Sequence, residues 1–225
     1  MKKILIITTL FFGAVGCGDG NKTETTETAD TTTTSAGLTP VDATATGDTA
    51  AMVTAPPMDS ATMMKKWQEF MTPGEEHNLL ASQVGTWKEE ATMWMTPDAP
   101  PTKNTMTATI KMAFNGLYQQ AVHKGTFDGH AFEGHSTVAF DNAKKKYVST
   151  WYDNMGSGIM YMEGTYDPGT KTITLRGNCV DPMTGKPMDM RETMTMIDDK
   201  TWMMEMYDTK YGKENKSMEI KMTKM

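Results

Sequence analysis

The sequence predicts an all-β fold: an antiparallel up-and-down barrel of about ten strands, preceded by one or two short helices. Three observations predict it. From Gly85 onward apolar residues recur with a period of two, not 3.6. Turn signals interrupt that pattern at short, even intervals: Asn115-Gly116, Asp128-Gly129, Asp141-Asn142, Gly156-Ser157-Gly158, Asp167-Pro168-Gly169, Asp181-Pro182, Asp198-Asp199 and Gly212. No helical stretch separates the strands, which argues for a meander. An open sheet of that size would leave unpaired edges, and closure into a barrel removes them.

The elements follow in order. Residues 61–71 read as a helix capped by Ser60, with Met63, Met64, Trp67, Phe70 and Met71 as its apolar side. Thr72-Pro73-Gly74 ends it. Residues 75–83 read as a second helix, acidic at its start, with Leu79, Leu80 and Val84 apolar. Trp87, Ala91 and Met93 then alternate with polar residues, as do Met106, Ala108, Ile110, Met112 and Phe114. A strand at 117–124 follows Asn115-Gly116. After Asp128-Gly129, Phe132, Gly134, Ser136, Val138 and Phe140 share one face. Further strands are expected at 147–153, 159–166, 172–179, 188–197, 201–207 and 217–223.

The first 57 residues are of another kind. Lys2 and Lys3 precede an apolar run at 4–15, too short to span a bilayer. Ala14-Val15-Gly16-Cys17 resembles a lipobox, in which the cysteine is lipidated and becomes the new N-terminus. The expected division is therefore a leader at 1–16, lipidated Cys17 with a Thr-rich tether at 17–57, a helical segment at 58–83 and the barrel at 84–225. The tether is Thr, Ala, Asp, Glu, Gly and Pro with almost no large apolar residue, a composition that does not offset the entropy of ordering. About 40 such residues span roughly 35 Å root-mean-square. Three triplets, at Asp30, Asp48 and Asp59, resemble O-glycosylation sites of some Gram-negative bacteria, a pattern that a Thr-rich tract also produces by chance. Gly18 follows the cysteine, so an inner-membrane retention aspartate is not directly there, which favours the outer membrane. The net charge of −6 argues against nucleic acid and against electrostatic docking on anionic lipid.

A series of short matches then carries a family resemblance. It runs through Gly74-Glu75-Glu76-His77, Leu79-Leu80, Gly85-Thr86-Trp87, Phe132-Glu133-Gly134, Phe140-Asp141-Asn142 and residues 146–151. It continues through Gly164-Thr165-Tyr166-Asp167, Asp181-Pro182, Thr184-Gly185-Lys186-Pro187, Arg191 and Met218-Glu219-Ile220. In this order the series resembles the family known as domain of unknown function fifteen seventy-nine, over about residues 73–225. One departure is Ala139-Phe140-Asp141, where the family has Gly-Tyr-Asp. The resemblance implies a calycin-type barrel, related in plan to lipocalins and able to hold a small apolar ligand, with no reaction assigned. Such folds pack a basic side chain across the tryptophan of a Gly-x-Trp motif. For Trp87 the resemblance makes Arg191 the candidate and Arg176 the second choice.

Methionine is the compositional outlier, with 24 residues. Pairs two apart recur, at Met93/Met95, Met160/Met162, Met188/Met190, Met194/Met196 and Met204/Met206, and that spacing puts both thioethers on one strand face. Clustered thioethers suit soft metals, and Cys179, Met183, Met188 and Met190 form the best candidate cluster. The competing reading, favoured here, is that Met fills the core in place of Leu; either way it offers many oxidisable sulfurs. Cys179 has no partner once Cys17 is lipidated, so no internal disulfide is expected.

Among the histidines, a two-residue turn at Asp128-Gly129 pairs His123 with Gly134, which sends His123 and His135 to opposite faces and disfavours a shared metal. Haem is disfavoured because Lys88-Glu89-Glu90-Ala91 stands where haem-binding barrels of the nitrobindin type carry glycines. No Gly-x-Ser-x-Gly, His-Glu-x-x-His or phosphate loop is present, so no enzyme and no cofactor are expected. Asp141, Asp153, Glu163, Glu192 and Glu205 read mostly as solvated or rim acids. The expected role is a lipid-anchored envelope protein binding a small hydrophobic ligand, with Trp151, Tyr152, Met160 and Met162 as lining residues. A metal-binding or oxidant-buffering protein, and a structural lipoprotein with a filled barrel, are the alternatives.

Overall fold

The computed structural model describes residues 57–225; the leader, Cys17 and nearly all of the tether lie outside them. Helix α1 (Ser60–Met71) and helix α2 (Glu75–Ser82) precede ten strands. These are β1 (Gly85–Met93), β2 (Thr102–Ala113), β3 (Tyr118–Phe127), β4 (His130–Asp141), β5 (Lys146–Asp153), β6 (Met160–Asp167), β7 (Thr172–Val180), β8 (Pro187–Asp198), β9 (Thr201–Asp208) and β10 (Asn215–Lys224). Each pairs antiparallel with its neighbours in sequence, and β10 returns to β1, from Trp87 opposite Lys224 to Met93 opposite Met218. The result is the closed meander that the period of two predicts. Among the described residues no helix is long and apolar enough to cross a membrane.

Aspartate ends many of the strands for one physical reason. Its carboxylate accepts the amide N–H two residues on, which starts the turn without help from the ladder. Asp141 takes Ala143 N at 2.8 Å, Asp153 takes Met155 N at 2.8 Å, Asp167 takes Gly169 N at 2.8 Å and Asp198 takes Lys200 N at 2.8 Å. Two local expectations shift. Asp59, not Ser60, caps α1, accepting from Thr62 N at 3.0 Å. Phe114 does not continue β2: it opens a tight turn with φ 49° and is exposed.

The two ends of the barrel differ. At one end α2 is the plug. Leu80 is fully buried against Val138, Phe140, Tyr147, Met162, Ile173 and Leu175. Trp87, Ala108, Ile110, Ala121 and Trp202 pack beside them. A helix C-terminus leaves carbonyls without partners, and inward side chains meet them here. Gln119 Nε2 donates to Leu80 O at 2.8 Å, and Trp87 Nε1 donates to Gln83 O at 2.7 Å. At the start of α2, buried His77 accepts the Gly74 N–H on Nδ1 at 3.0 Å, and burial holds its pKa below the ordinary histidine value. The other end, formed by the turns after β1, β3, β5, β7 and β9, has no plug among the described residues. Glycine sets the curvature at Gly164, where a Cβ would lie 1.8 Å from the Thr174 carbonyl oxygen. The backbones of β6 and β7 therefore approach more closely there than any side chain permits.

Candidate functional site

The site is the half of the lumen toward the unplugged end. Strand alternation and the pairing registers decide which side chains enter it. From β1 come Glu89 and Ala91, opposite Met106 and Asn104 of β2. His123 of β3 lies opposite Gly134, and Ser136 opposite Trp151. Cys179 of β7 lies opposite Met188, Gly177 opposite Met190, and Leu175 opposite Glu192. Many of these inward side chains remain partly accessible, among them Met106, His123, Ser136, Trp151, Met160 and Glu192. In the middle of a closed barrel such access runs through the lumen. Two surface cavities lie elsewhere. One of about 560 Å³ lies against Trp94, Pro97 and Lys103, and one of about 440 Å³ lies between α1 and the turn at Asn142.

A polar chain crosses this methionine-lined space. Glu89 is 1 % exposed, and a carboxylate so enclosed needs a partner. His123 supplies it: Nδ1 is 3.0 and 3.1 Å from the two Glu89 oxygens. Its Nε2 faces Ser136 Oγ at 3.4 Å, and its ring meets the Trp151 indole edge-on with centroids 5.0 Å apart. Trp151 Nε1 in turn donates to Asp153 at 2.7 Å. Gly134 makes room for that indole, because a Cβ there would lie 2.5 Å from the ring. The order carboxylate–imidazole–hydroxyl can hold and relay a proton. It does not assemble an acyl-transfer centre. Ser136 sits mid-strand between β3 and β5, so its backbone N–H belongs to the ladder and is not free to bind an oxyanion.

Glu192 faces the same space without a hydrogen-bond partner among the described residues. Burial pushes its carboxyl up to about 7, and the nearby His123 charge opposes that rise. A raised folded-state pKa stabilises the fold below the ordinary carboxylate value, and that contribution is lost as pH climbs through about 7. Urea titrations should therefore show the stability of wild type relative to Glu192→Gln declining from pH 5 to 8 by ~2 kcal/mol. Equal slopes in both proteins would show that Glu192 is not the titrating group.

Several sequence expectations change here. Trp151, Met160 and Met162 are on the lumen side, but Tyr152 is not. Successive residues of a strand face opposite ways, and Tyr152 stands 48 % exposed outside, stacked on His135 at 5.2 Å. Met162 is buried in the plugged core, away from the accessible half. Arg191 does not cover Trp87. It lies outside the barrel 3.8 Å from the Tyr207 ring and pairs with Glu214 at 2.7 Å, and Arg176 is near the same Glu214. The cation over Trp87 is Lys224, at 5.4 Å. Of the four proposed metal ligands, Cys179, Met188 and Met190 share the lumen face, while Met183 is 81 % exposed in the turn beyond β7. Glu192 is lumenal, not solvated. His123 and His135 do face opposite ways, with His123 opposite Gly134. Among the described residues no group of three His, Cys, Asp or Glu side chains is placed to hold a metal ion.

A family model described as "Protein of unknown function (DUF1579)" matches residues 72–224. The chain belongs to this family. The match takes in α2 with its His77 cap, and the whole DUF1579 barrel. No curated protein matches the sequence. Among solved structures, Rv2717c from M. tuberculosis is 11 % identical with a TM-score of 0.50, covering 68 % of this chain and 99 % of its own. At that identity the likeness concerns the fold alone. A redesigned β-barrel is also 11 % identical, with a TM-score of 0.37, covering 65 % of this chain and 95 % of its own.

Proposed function

We propose that this DUF1579 protein is held to the bacterial envelope by lipid on Cys17 and binds a small hydrophobic or amphipathic ligand in its barrel, without catalysing a reaction. The outer membrane is the favoured address. One observation carries the ligand reading. Inward-facing apolar side chains, Met106, Trp151 and Met160 among them, stay within reach of solvent, beside the Glu192 carboxyl, which has no hydrogen-bond partner among the described residues. Apolar walls with a few convergent polar groups suit a ligand with a greasy body and a polar end. The single lipid-reactive cysteine supplies the address, since two or three acyl chains at ~0.8 kcal/mol per buried methylene give stable attachment.

A second reading has one observation of its own. Met160, Cys179 and Met188 lie on the lumen face of consecutive strands β6, β7 and β8, a row of sulfurs suited to a soft metal. Burial raises the Cys179 thiol, which works against the thiolate such a site needs.

Native mass spectrometry of the lipidated protein taken from membranes separates the readings. A retained organic mass supports the ligand, copper or zinc supports the sulfur row, and a bare polypeptide with lipid overturns both. Labelling with a palmitate analogue tests the anchor: it should mark wild type and spare Cys17→Ser.

A further inference from the structure

Helix α1 is amphipathic but faces the wrong way for a core helix. Met63, Met64, Trp67, Phe70 and Met71 fall within an arc of roughly 120° on its surface. All five are exposed, from 44 % for Phe70 to 69 % for Met64. The polar side is the one turned to the barrel, where Lys65, Gln68 and Glu69 border the groove beside Asn142 and Lys145. The helix buries none of its residues. A helix of twelve residues is marginal in water unless something packs on it. Yet its position is fixed. The Asn142 side-chain amide donates to the carbonyls of Glu69, Phe70 and Thr72 at 3.3, 3.0 and 3.0 Å. The barrel thus presents an apolar helix face outward. Phe114, 72 % exposed, and Tyr118, 42 % exposed, extend apolar surface at the same end, in the turn where Gly116 lies beside Pro73.

We propose that the apolar face of α1 rests in the interfacial zone of a lipid bilayer, as a membrane contact separate from the acyl anchor. The choice of lipid as occupant rests on the reading of Cys17. Among the described residues α1 is the first element, and the roughly 40 residues between it and Cys17, at the span of roughly 35 Å expected from their composition, would keep the helix near the surface to which Cys17 is attached. The face itself has the matching chemistry. It carries one Trp, one Phe and three Met with no charge in the arc, and indole and phenyl rings favour the boundary between head groups and chains. The flanks carry Lys65 and Lys66 against Glu69, so the helix does not share the acidic balance of the whole chain. The acyl anchor would raise the effective concentration of the helix at the bilayer, so that even a weak helix contact is occupied. The consequence is orientation: the plugged end of the barrel faces the bilayer and the open end faces away.

The test uses the chain without its leader and with Cys17→Ser, so that no acyl chain contributes. It is floated with vesicles of phosphatidylethanolamine and phosphatidylglycerol. The protein should rise with the vesicles, and Trp67→Ser with Phe70→Ser should lower the bound fraction at least about tenfold with the thermal midpoint unchanged. Met183→Ser, at the opposite end, should bind as the parent does. A parent that stays in the aqueous layer, or a double variant that still floats, overturns the proposal. So does sedimentation showing that the parent is a dimer dissolved by the same two substitutions, since a second copy would then cover the face. Palmitate labelling reads Cys17 separately, so failure of the anchor and failure of the helix contact give different results.

Discussion

Trp87→Ala is expected to cost about 4 kcal/mol of folding stability, the largest effect of any single substitution considered. Trp87 is completely buried. Its neighbours Ala108 and Ala121 are small because the indole fills the space between them, and Ile110 and Trp202 close the pocket. Removing the ring leaves a cavity that strands fixed on both sides cannot collapse. It also frees the Gln83 carbonyl that the indole N–H satisfies at 2.7 Å, loosening the last turn of α2, and it removes the surface on which Lys224 lies. For a domain of this size the midpoint of thermal unfolding should fall by roughly 12 °C. Trp87→Phe keeps much of the area and loses the hydrogen bond, so about 1–2 kcal/mol is expected. Urea unfolding with an unchanged slope checks both. A loss below about 1 kcal/mol for the alanine variant would mean that α2 does not depend on this ring.

His123→Ala is expected to cost about 3 kcal/mol, for a different reason. It leaves the Glu89 carboxylate enclosed in the barrel wall with no partner, and an uncompensated buried charge costs far more than the lost contact. Pairing His123→Leu with Glu89→Met removes both charges and should recover most of the loss. If the paired variant is as unstable as the single one, packing and not charge is what His123 provides.

Much of the barrel is legible because its physics is local. Period-two alternation gives the strands, and short turns such as Asp128-Gly129 give register. That is why His123 can be placed opposite Gly134 from the sequence. The same rule, applied strictly, excludes both Tyr152 and Arg191 from the lumen. Tyr152 follows lumenal Trp151, and Arg191 lies between lumenal Met190 and Glu192. What is not legible depends on partners far along the chain. Glu89 alternates with Trp87 and Ala91, so its direction is readable, but an acid in a strand reads as solvated until a histidine 34 residues away is brought to it. Lys224 meets Trp87 only through the β1–β10 register, which no turn encodes. Gln119 and the carbonyls of α2 meet for the same reason: the plug is a tertiary feature, and period alone shows only that α2 has an apolar side.

The return of β10 to β1 also sets the order of events in folding. Every other strand pair joins neighbours in sequence, while this pair joins residues such as Trp87 and Lys224 across nearly the whole domain. Hairpins can therefore form early, but the seam closes only after the final ten-residue strand is available, and closing so long a loop is slow. Until then β1 and β9 each present an unpaired edge able to recruit strands from other chains. Loss of the last strand would leave those edges permanently open, so the C-terminal residues, which also bring Ile220 and Met222 into the core, protect the molecule from aggregation.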